Sequence, residues 1–234
     1  MDTVVVIPTY NEVDHIEALI RRIRQLYPDF DILIVDDNSP DGTGELAERI
    51  ASTVNQVKVL HRARKNGLGR AYVQGFQYVL ACNPPYSKII QMDADFSHDP
   101  VYIKDLVKAV DNAQVSIGTR YMPGGAVPNW RLNRRVLSLF ANFLVRAWLG
   151  IPFRDCTSGF RCFRREVLEG IRLDTIRSNG YYFQIEMALC CQRLHYTIAE
   201  VPIRFAERKT GNTKLGFAEI WEAFWMVLFF RFFR

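Results

Sequence analysis

Short runs of β-branched and apolar residues alternate with helical patterns through the first half of the chain, and this alternation constrains the fold most. The runs that predict buried strands lie at residues 3–8, 31–35, 57–60, 89–92 and 115–119. Helical patterns separate them and end near residues 27, 51 and 110. Strands that alternate with helices form right-handed βαβ units. We therefore expect an α/β fold with a Rossmann-like, mostly parallel central sheet flanked by helices.

The second half of the chain is less regular. Residues 121–130 form a loop with glycine and proline that is long enough to act as a lid. Helices are predicted at 132–149, 166–171 and 182–194, and strands at 161–163 and 197–203. A basic loop at 204–214 has a composition suited to folding over an anion. We expect one domain over residues 1–216 and a separate segment at 217–234.

The segment at 217–234 is apolar and aromatic. Residues 223–230 are continuously apolar, and Arg231 and Arg234 follow them. The run is too short to span a bilayer, which needs ~20 apolar residues. The same pattern fits a core helix or a helix in the membrane interface with its arginines at the headgroups. We favour the membrane surface, or docking on a membrane-anchored partner.

Charge and cysteine content narrow the class of partner and the compartment. The net charge of +5 over 234 residues suits an anionic partner such as nucleotide phosphates or a membrane surface. It is too small to indicate nucleic acid, and the sequence contains no recognised nucleic-acid motif. The five cysteines form no C-x-x-C pair, so we expect neither a disulfide scaffold nor a zinc site. Buried thiols in a reducing cytoplasm are the favoured interpretation.

Two carboxylates, Asp93 and Asp95, follow the fourth predicted strand with one small residue between them. Residues i and i+2 of an extended chain point the same way, so both carboxylates can converge on one spot. Paired hard oxygen ligands beside an open position suit Mg²⁺ or Mn²⁺ bridging to a phosphate. Taken alone, the pattern is a weak signal and more often marks two solvated aspartates in a turn.

Polar residues also follow the first and second strands, at 8–12 and 36–37. The carboxyl ends of parallel strands meet at one edge of the sheet, where open α/β folds bind ligands. Carboxylates crowded at one edge repel each other unless a cation or a donor-rich ligand joins them. A nucleotide with a divalent metal meets that requirement.

Two basic stretches are weaker candidates for contacts with phosphate. Residues 64–71 form a glycine-bearing turn into a helix, although they match neither a Walker A loop nor a complete G-x-G-x-x-G. On the helix at 132–149, Arg135, Ser138, Asn142 and Arg146 form a polar stripe. A solvated face is the favoured interpretation for Arg146. Arg135 and Ser138, near the lid loop, are candidates for binding an acceptor phosphate.

Several motifs together resemble the dolichol-phosphate (polyprenyl-phosphate) mannosyltransferases, inverting family 2 glycosyltransferases with the GT-A fold. The matching stretches run almost from end to end, at residues 7–12, 35–43, 65–69, 92–98, 118–121, 158–161, 200–203 and 208–216. The resemblance implies that residues 1–216 are a GT-A catalytic domain. It also implies a metal-dependent enzyme at the cytoplasmic face of a membrane. Many relatives carry C-terminal transmembrane helices, which 217–234 does not match, so we expect peripheral membrane association or a membrane-anchoring subunit.

The resemblance also implies roles for individual residues. Those expected to bind the nucleotide sugar are Pro8, Tyr10, Glu12, Val35, Asp37, Asp93, Ala94, Asp95, Arg120, Arg208 and Lys214. Asp95, with Asp93, is expected to hold Mg²⁺ or Mn²⁺, and Asp95, Arg120 and Lys214 are the expected catalytic residues. Some relatives carry glutamine where this chain has Ser97, which leaves the second protein ligand of the metal open.

The implied reaction transfers mannose from GDP-mannose to a dolichyl or polyprenyl phosphate. The acceptor phosphate is already an anion, so no strong general base is required, and His98 is expected to be a loop residue. One alternative is an enzyme that uses a UDP-sugar, such as UDP-glucose, with a polyprenyl phosphate or another lipid acceptor. A second is an inactive nucleotide-binding scaffold subunit. A dinucleotide-binding enzyme is disfavoured because no G-x-G-x-x-G follows the first strand.

Overall fold

The computed structural model describes residues 2–128, 130–180 and 182–206. Within these ranges seven strands form one sheet in the order β3-β2-β1-β4-β6-β5-β7. The strands are β1 (Thr3–Thr9), β2 (Asp31–Asp36), β3 (Val57–His61), β4 (Lys88–Gln91), β5 (Val115–Thr119), β6 (Arg161–Arg164) and β7 (Ile198–Pro202). All seven contain a run predicted from the sequence.

The sheet is mostly parallel, as the alternation of strands and helices predicts. β1 pairs in parallel with β2 on one side and β4 on the other, and Pro8 lies opposite Val35 in this register. β6 is the exception, because it inserts antiparallel between β4 and β5 and places Cys162 opposite Ile90 and Ser116. The carboxyl ends of β1, β2 and β4 therefore meet at one edge.

Helices cover both faces of the sheet. They are α1 (Val13–Leu26), α2 (Thr43–Ala51), α3 (Leu68–Leu80), α4 (Ile103–Ala109), α5 (Leu132–Leu149), α6 (Arg165–Gly170) and α7 (Phe183–Arg193). α1 buries Ile16, Leu19, Ile20 and Ile23, which recur at the helical period. Burying each such side chain contributes about 1.5–3 kcal/mol.

One helix lies so close to the sheet that it needs a glycine at the contact. A Cβ placed on Gly75 of α3 would lie 2.7 Å from Cγ1 of Val6 and 3.0 Å from Cγ2 of Val35. This close approach brings the first turn of α3 beside the ends of β1 and β4, where the carboxylates lie.

The long helix α5 exposes apolar side chains and buries a polar one, which is the reverse of the usual surface helix. Asn142, in the polar stripe, is 2% exposed, whereas Leu137, Phe140 and Phe143 are 56–61% exposed. Asn142 Nδ2 donates to the Arg154 carbonyl, and Asn142 Oδ1 accepts from the Cys156 N–H. Arg146 donates to the Pro152 carbonyl, 3.2 Å away. Asn142 and Arg146 therefore face the protein, so a solvated face is the wrong interpretation for Arg146, whereas Arg135 at the start of the stripe is exposed.

The cysteines agree with a further expectation. Each of the five cysteines lies in the described ranges as a free thiol. Burial raises the pKa of Cys156, Cys162 and Cys191 to about 12, which keeps these thiols protonated and unreactive. In the described part of the chain, no helix has the length and apolar character that crossing a bilayer requires.

Candidate active site

The turns after β1 and β2 are fastened to each other. Thr9 Oγ1 donates to Asp36 Oδ1 over 3.0 Å, and Ser39 Oγ donates to the same oxygen over 2.6 Å. The Glu12 N–H donates to Thr43 Oγ1 of α2, 2.9 Å away. Asp36 thus stabilises the turns, whereas its neighbour Asp37 extends toward the edge of the sheet.

Asp37 forms a buried ion pair with Arg62, which follows β3 at the same edge. Arg62 Nη1 donates to Asp37 Oδ1, Arg62 Nε donates to Gln74 Oε1, and the Asn66 N–H donates to Asp37 Oδ2. Burial raises the pKa of Asp37, and the Arg62 guanidinium opposes that rise. Sequence reasoning proposed Asp37 but missed Arg62, whose only signal is its place after a strand.

Tyr10 and Lys65 form an aromatic and basic surface near Asp37, which we call the wall. Lys65 Nζ lies 3.7 Å from the centroid of the Tyr10 ring, a cation–π contact between the turn after β1 and the glycine-bearing turn before α3. Pro8 and Val35 are buried opposite each other at the ends of β1 and β2, and Glu12 is buried at the start of α1. The residues expected to bind a nucleoside thus converge from β1, β2 and the turns that follow them.

Asp93 and Asp95 follow β4, and each carboxylate accepts hydrogen bonds. Tyr72 Oη donates to Asp93 Oδ1 over 2.9 Å. Ser97 donates to Asp95 Oδ1 from its N–H over 3.0 Å and from its hydroxyl over 2.5 Å. Ser97, which replaces the glutamine of some relatives, therefore orients the Asp95 carboxylate. Ala94 is buried between the two aspartates.

His98 lies buried beneath this turn. Its Nδ1 accepts from the Asp93 N–H over 3.1 Å, and its ring stacks on Phe160 with 4.9 Å between centroids. Burial lowers the pKa of His98, which favours the neutral ring with its proton on Nε2. A buried, neutral imidazole agrees with the interpretation of His98 as a structural residue of the loop.

The donor set at Asp93 and Asp95 fits a hard divalent cation that also binds a substrate phosphate. No group of three or more His, Cys, Asp or Glu side chains converges within the described residues. Two carboxylates and a hydroxyl supply only oxygen atoms, so the other positions of Mg²⁺ or Mn²⁺ would fall to phosphate and water. This arrangement matches the use of these cations with nucleotides.

Arg120, at the end of β5, forms a buried pair with Asp155. Arg120 Nε donates to Asp155 Oδ2 over 2.7 Å, and Arg120 Nη2 donates to Oδ1 over 2.8 Å. Burial alone would raise the pKa of Asp155, but the guanidinium outweighs it and holds that pKa below its usual value. The rings of Tyr121, Trp130 and Phe205 lie 5.0–5.7 Å from the guanidinium carbon. Sequence reasoning proposed Arg120 but not Asp155.

Hydrogen bonds hold the lid loop at its first residue and at its middle. Tyr121 Oη and Ser138 Oγ share a hydrogen bond of 2.7 Å, and the Phe205 N–H donates to the Ala126 carbonyl over 2.9 Å. Ser138 therefore supports the lid, whereas Arg135 is exposed on the first turns of α5. The Ala206 N–H donates to the Ser97 carbonyl over 3.3 Å. The described chain thus ends beside the Asp95 turn, and Arg208, Lys214 and the segment 217–234 lie outside the described residues.

An open groove of about 880 Å³ adjoins this end of the chain. It runs between α1 and the lid, and Phe96, Asp99, Pro128, Arg204 and Ala206 form its rim. It lies beside the Asp95 turn and is separate from the wall around Tyr10 and Asp37.

Comparison with known families decides the class of the chain. The sequence model of the family described as Glycosyl transferase family 2 matches residues 4–172. The chain belongs to glycosyl transferase family 2. Its structural neighbours are GT-A glycosyltransferases, so the predicted fold class is confirmed.

This family 2 glycosyltransferase has close relatives across nearly its whole length. It is 44% identical over 227 residues to a polyprenol monophosphomannose synthase of Mycolicibacterium smegmatis, covering 96% of this chain and 85% of the relative. It is 41% identical over 223 residues to an undecaprenyl-phosphate mannosyltransferase of Micrococcus luteus, covering 95% of this chain and 91% of the relative.

A solved mannosyltransferase shares the fold of this family 2 enzyme. It comes from Pyrobaculum calidifontis and was determined in complex with GDP-mannose and Mn²⁺. The two structures superpose with a TM-score of 0.60 at 19% identity, covering 97% of this chain and 61% of the neighbour.

Proposed function

We propose that this enzyme transfers mannose from GDP-mannose to a dolichyl or polyprenyl phosphate, with inversion at the anomeric carbon and with Mg²⁺ or Mn²⁺. The observation that carries the proposal is the convergence of Tyr10, Asp37, Asp93 and Asp95 at one sheet edge. The names of the two close relatives supply the lipid phosphate and mannose, and the metal and GDP-mannose of the structural neighbour agree with them.

The nucleoside of the donor would lie against the wall at the ends of β1 and β2. Tyr10 and Lys65 offer an aromatic face with a cation beside it, and Asp37 offers a carboxylate to N–H groups of a base. Arg62 holds the Asp37 carboxylate in place. Binding of the nucleoside would therefore cost little conformational entropy at that side chain. Pro8, Glu12, Val35 and Ala94 complete the expected pocket.

Asp95, together with Asp93, would hold the divalent cation on the donor diphosphate. When bound, the cation supplies positive charge that stabilises the departing diphosphate. Ser97 orients Asp95 through two hydrogen bonds, which fixes the carboxylate before the donor arrives.

Basic side chains would provide the remaining charge at the leaving group. Arg120 follows β5 at this edge, but its guanidinium is buried and paired with Asp155, so the positive charge would come mainly from Arg208 and Lys214. The hydrogen bond from Ala206 to Ser97 brings the chain to the Asp95 turn two residues before Arg208. Arg208 and Lys214 therefore follow within a short length of chain. Preorganised positive groups aimed at developing negative charge are a large contribution to catalysis.

An oxygen of the acceptor phosphate would attack the anomeric carbon directly. The new bond joins that oxygen to the carbon, and the bond from the carbon to the donor diphosphate breaks, so GDP leaves with the bonding electrons. The acceptor is anionic near neutral pH and loses no proton in the attack, so His98 need not act as a base. Arg135 is exposed near the lid and remains the proposed contact for the acceptor phosphate. Ser138 remains the second candidate, and its hydroxyl bonds to Tyr121 of the lid.

The acceptor is a lipid, and α5 has a surface suited to a membrane. Its exposed face carries Val136, Leu137, Phe140, Phe143 and Leu144, each at least 48% exposed. Arg131, Arg134 and Arg135 lie at the end of α5 nearest the lid. An apolar face with arginines at its margin fits the interface of a bilayer with anionic headgroups. We propose peripheral association with the cytoplasmic face of such a membrane, with 217–234 as a second contact.

The donor is tested with labelled GDP-mannose and, separately, labelled UDP-glucose, each with polyprenyl phosphate in detergent and Mn²⁺. Lipid-soluble label from GDP-mannose alone is the expected result. Label from UDP-glucose alone would keep the reaction class but replace the donor. Nucleotide binding without transfer from either donor would favour the scaffold alternative.

The metal site is tested by replacing Asp95. Asp95→Ala should abolish transfer, because losing charge stabilisation by the metal raises the barrier by several kcal/mol. Asp111→Ala, which removes an exposed carboxylate paired with Lys88, is the matched control and should leave transfer unchanged. Wild-type turnover by Asp95→Ala would refute the assignment. Lys214→Ala should lower turnover in a folded protein.

Membrane association is tested by flotation with vesicles. The full chain should float with vesicles that contain phosphatidylglycerol and less with vesicles of phosphatidylcholine alone. The double variant Phe140→Ser with Phe143→Ser should float poorly while its transfer in detergent persists. Equal flotation of this variant would exclude α5 as the membrane contact.

A further inference from the structure

The Tyr72 ring is held from two sides in the first turns of α3. It stacks on Phe76 with 5.8 Å between centroids and on Phe183 with 5.6 Å, and the side chain has no exposed surface. These contacts leave the ring little freedom, so the position of its hydroxyl is set by packing. That hydroxyl lies 2.9 Å from Asp93 Oδ1.

The direction of this hydrogen bond follows from the chemistry of both groups. A phenol carries its proton near neutral pH and an ionised carboxylate has none to give, so Tyr72 donates. The Asp93 carboxylate accepts at Oδ1. Its side chain is 34% exposed, so Asp93 also reaches the edge where the nucleotide is proposed to bind.

A second contact fixes the backbone of the same residue. His98 Nδ1 accepts the Asp93 N–H, and the imidazole is held by Phe160. Asp93 is thus held at its amide by the loop that follows it and at its carboxylate by α3. A phenylalanine at residue 72 could make the same ring contacts, so packing alone does not explain the hydroxyl.

We propose that Tyr72 is a positioning residue, whose hydroxyl fixes the Asp93 carboxylate in the orientation that binds the divalent cation with the donor nucleotide. The inference rests on the proposed function, because it assumes that Asp93 and Asp95 form the metal site. The helix α3 would then contribute to the metal site, in addition to the residues that follow the strands. Outer partners that orient a metal ligand typically change metal affinity about 10–100-fold when removed.

The test is Tyr72→Phe, which removes one hydroxyl and keeps the stacked ring. Binding of Mn²⁺ in the presence of GDP is measured from the loss of the free-ion signal in electron paramagnetic resonance, a readout that needs no turnover. We expect the dissociation constant for Mn²⁺ to rise about tenfold or more. In the transfer assay, the Mn²⁺ concentration for half-maximal rate should rise, and saturating Mn²⁺ should largely restore kcat.

Tyr86→Phe is the matched control. Tyr86 is also a buried tyrosine that donates to a carboxylate, Asp31 Oδ2, over 2.5 Å, but Asp31 lies at the opposite end of β2. If Tyr72 acts only through stability, both variants should behave alike. The positioning role requires that Tyr86→Phe leaves Mn²⁺ affinity unchanged.

The Asp93→Asn variant tests whether Tyr72 acts through the Asp93 carboxylate. There Tyr72→Phe should cause no further loss of Mn²⁺ affinity, because the carboxylate it positions is gone. Unchanged Mn²⁺ affinity in Tyr72→Phe alone would overturn the positioning role and leave the metal site standing. Failure of the wild type to bind Mn²⁺ with GDP would overturn the metal site itself, and the inference with it.

Discussion

The buried pair between Arg120 and Asp155 yields the sharpest stability prediction. The Arg120 side chain is 3% exposed and that of Asp155 is 0% exposed. Asp155 accepts from the Arg120 N–H, Nε and Nη2, and from Thr157 Oγ1. Asp155→Ala leaves a buried guanidinium without its carboxylate, which is the costly way to break such a pair.

The size of the effect follows from that burial. Removing one partner of a buried ion pair costs about 3–5 kcal/mol. A chain of this size loses roughly 2–4 °C in Tm for each kcal/mol, so Asp155→Ala should lower Tm by roughly 6–20 °C. At pH 7, urea unfolding measures the loss of free energy and thermal unfolding measures the change in Tm, both monitored by circular dichroism.

An exposed pair supplies the control. Arg165 and Glu169 form an i,i+4 pair in which Glu169 is 51% exposed, so Glu169→Ala should cost less than about 0.5 kcal/mol. A loss of under about 1 kcal/mol for Asp155→Ala would refute the reasoning, because it would mean that Arg120 finds water or another partner at no cost.

The same pair predicts a dependence on pH. The folded-state pKa of Asp155 lies below its usual value of 3.8, so its contribution is fully present above that value. The contribution is lost as pH falls below 3.8 and through the folded-state pKa. The difference in stability between wild type and Asp155→Ala should therefore stay constant from about pH 5 to 8 and shrink below about pH 4.

Three further predictions concern other parts of the fold. Asn142→Ala removes the amide that satisfies the Arg154 carbonyl and the Cys156 N–H, and should cost about 1–3 kcal/mol in urea unfolding. Gly69→Ala would place a Cβ 2.1 Å from the Ser178 carbonyl oxygen and should destabilise by about 1–3 kcal/mol, whereas a neutral result would mean that this loop yields. Removing divalent cations with EDTA should abolish transfer, and added Mn²⁺ should restore it.

The positions of the strands along the chain were predictable because their signal is local. β1 and β2 are runs buried at every position, and such runs are recognisable wherever both faces of a sheet are covered. The acidic residues at the strand ends were predictable for a related reason, since topology brings the carboxyl ends of parallel strands together. The antiparallel direction of β6 has no such local signal.

The supporting residues of the site were not predictable from the sequence. Arg62 lies 25 residues from Asp37, Tyr72 lies 21 residues from Asp93, and Asp155 lies 35 residues from Arg120. Each pairing depends on how separate elements pack, so nothing near either residue indicates its partner. The sequence indicated the residues proposed to bind the ligand and missed the residues that hold them in place.

The helix α5 shows why periodicity alone did not indicate this helix as the proposed membrane contact. A pattern of apolar and polar positions defines two faces, but it does not say which face meets the protein. Asn142 decides the question, because its amide fits the Arg154 carbonyl and the Cys156 N–H and so turns the polar face inward. Phe140 and Phe143 are then exposed on the other side of the helix. An enzyme whose acceptor is a lipid has a use for that orientation, since an apolar face beside the site would bring the lipid phosphate to the donor.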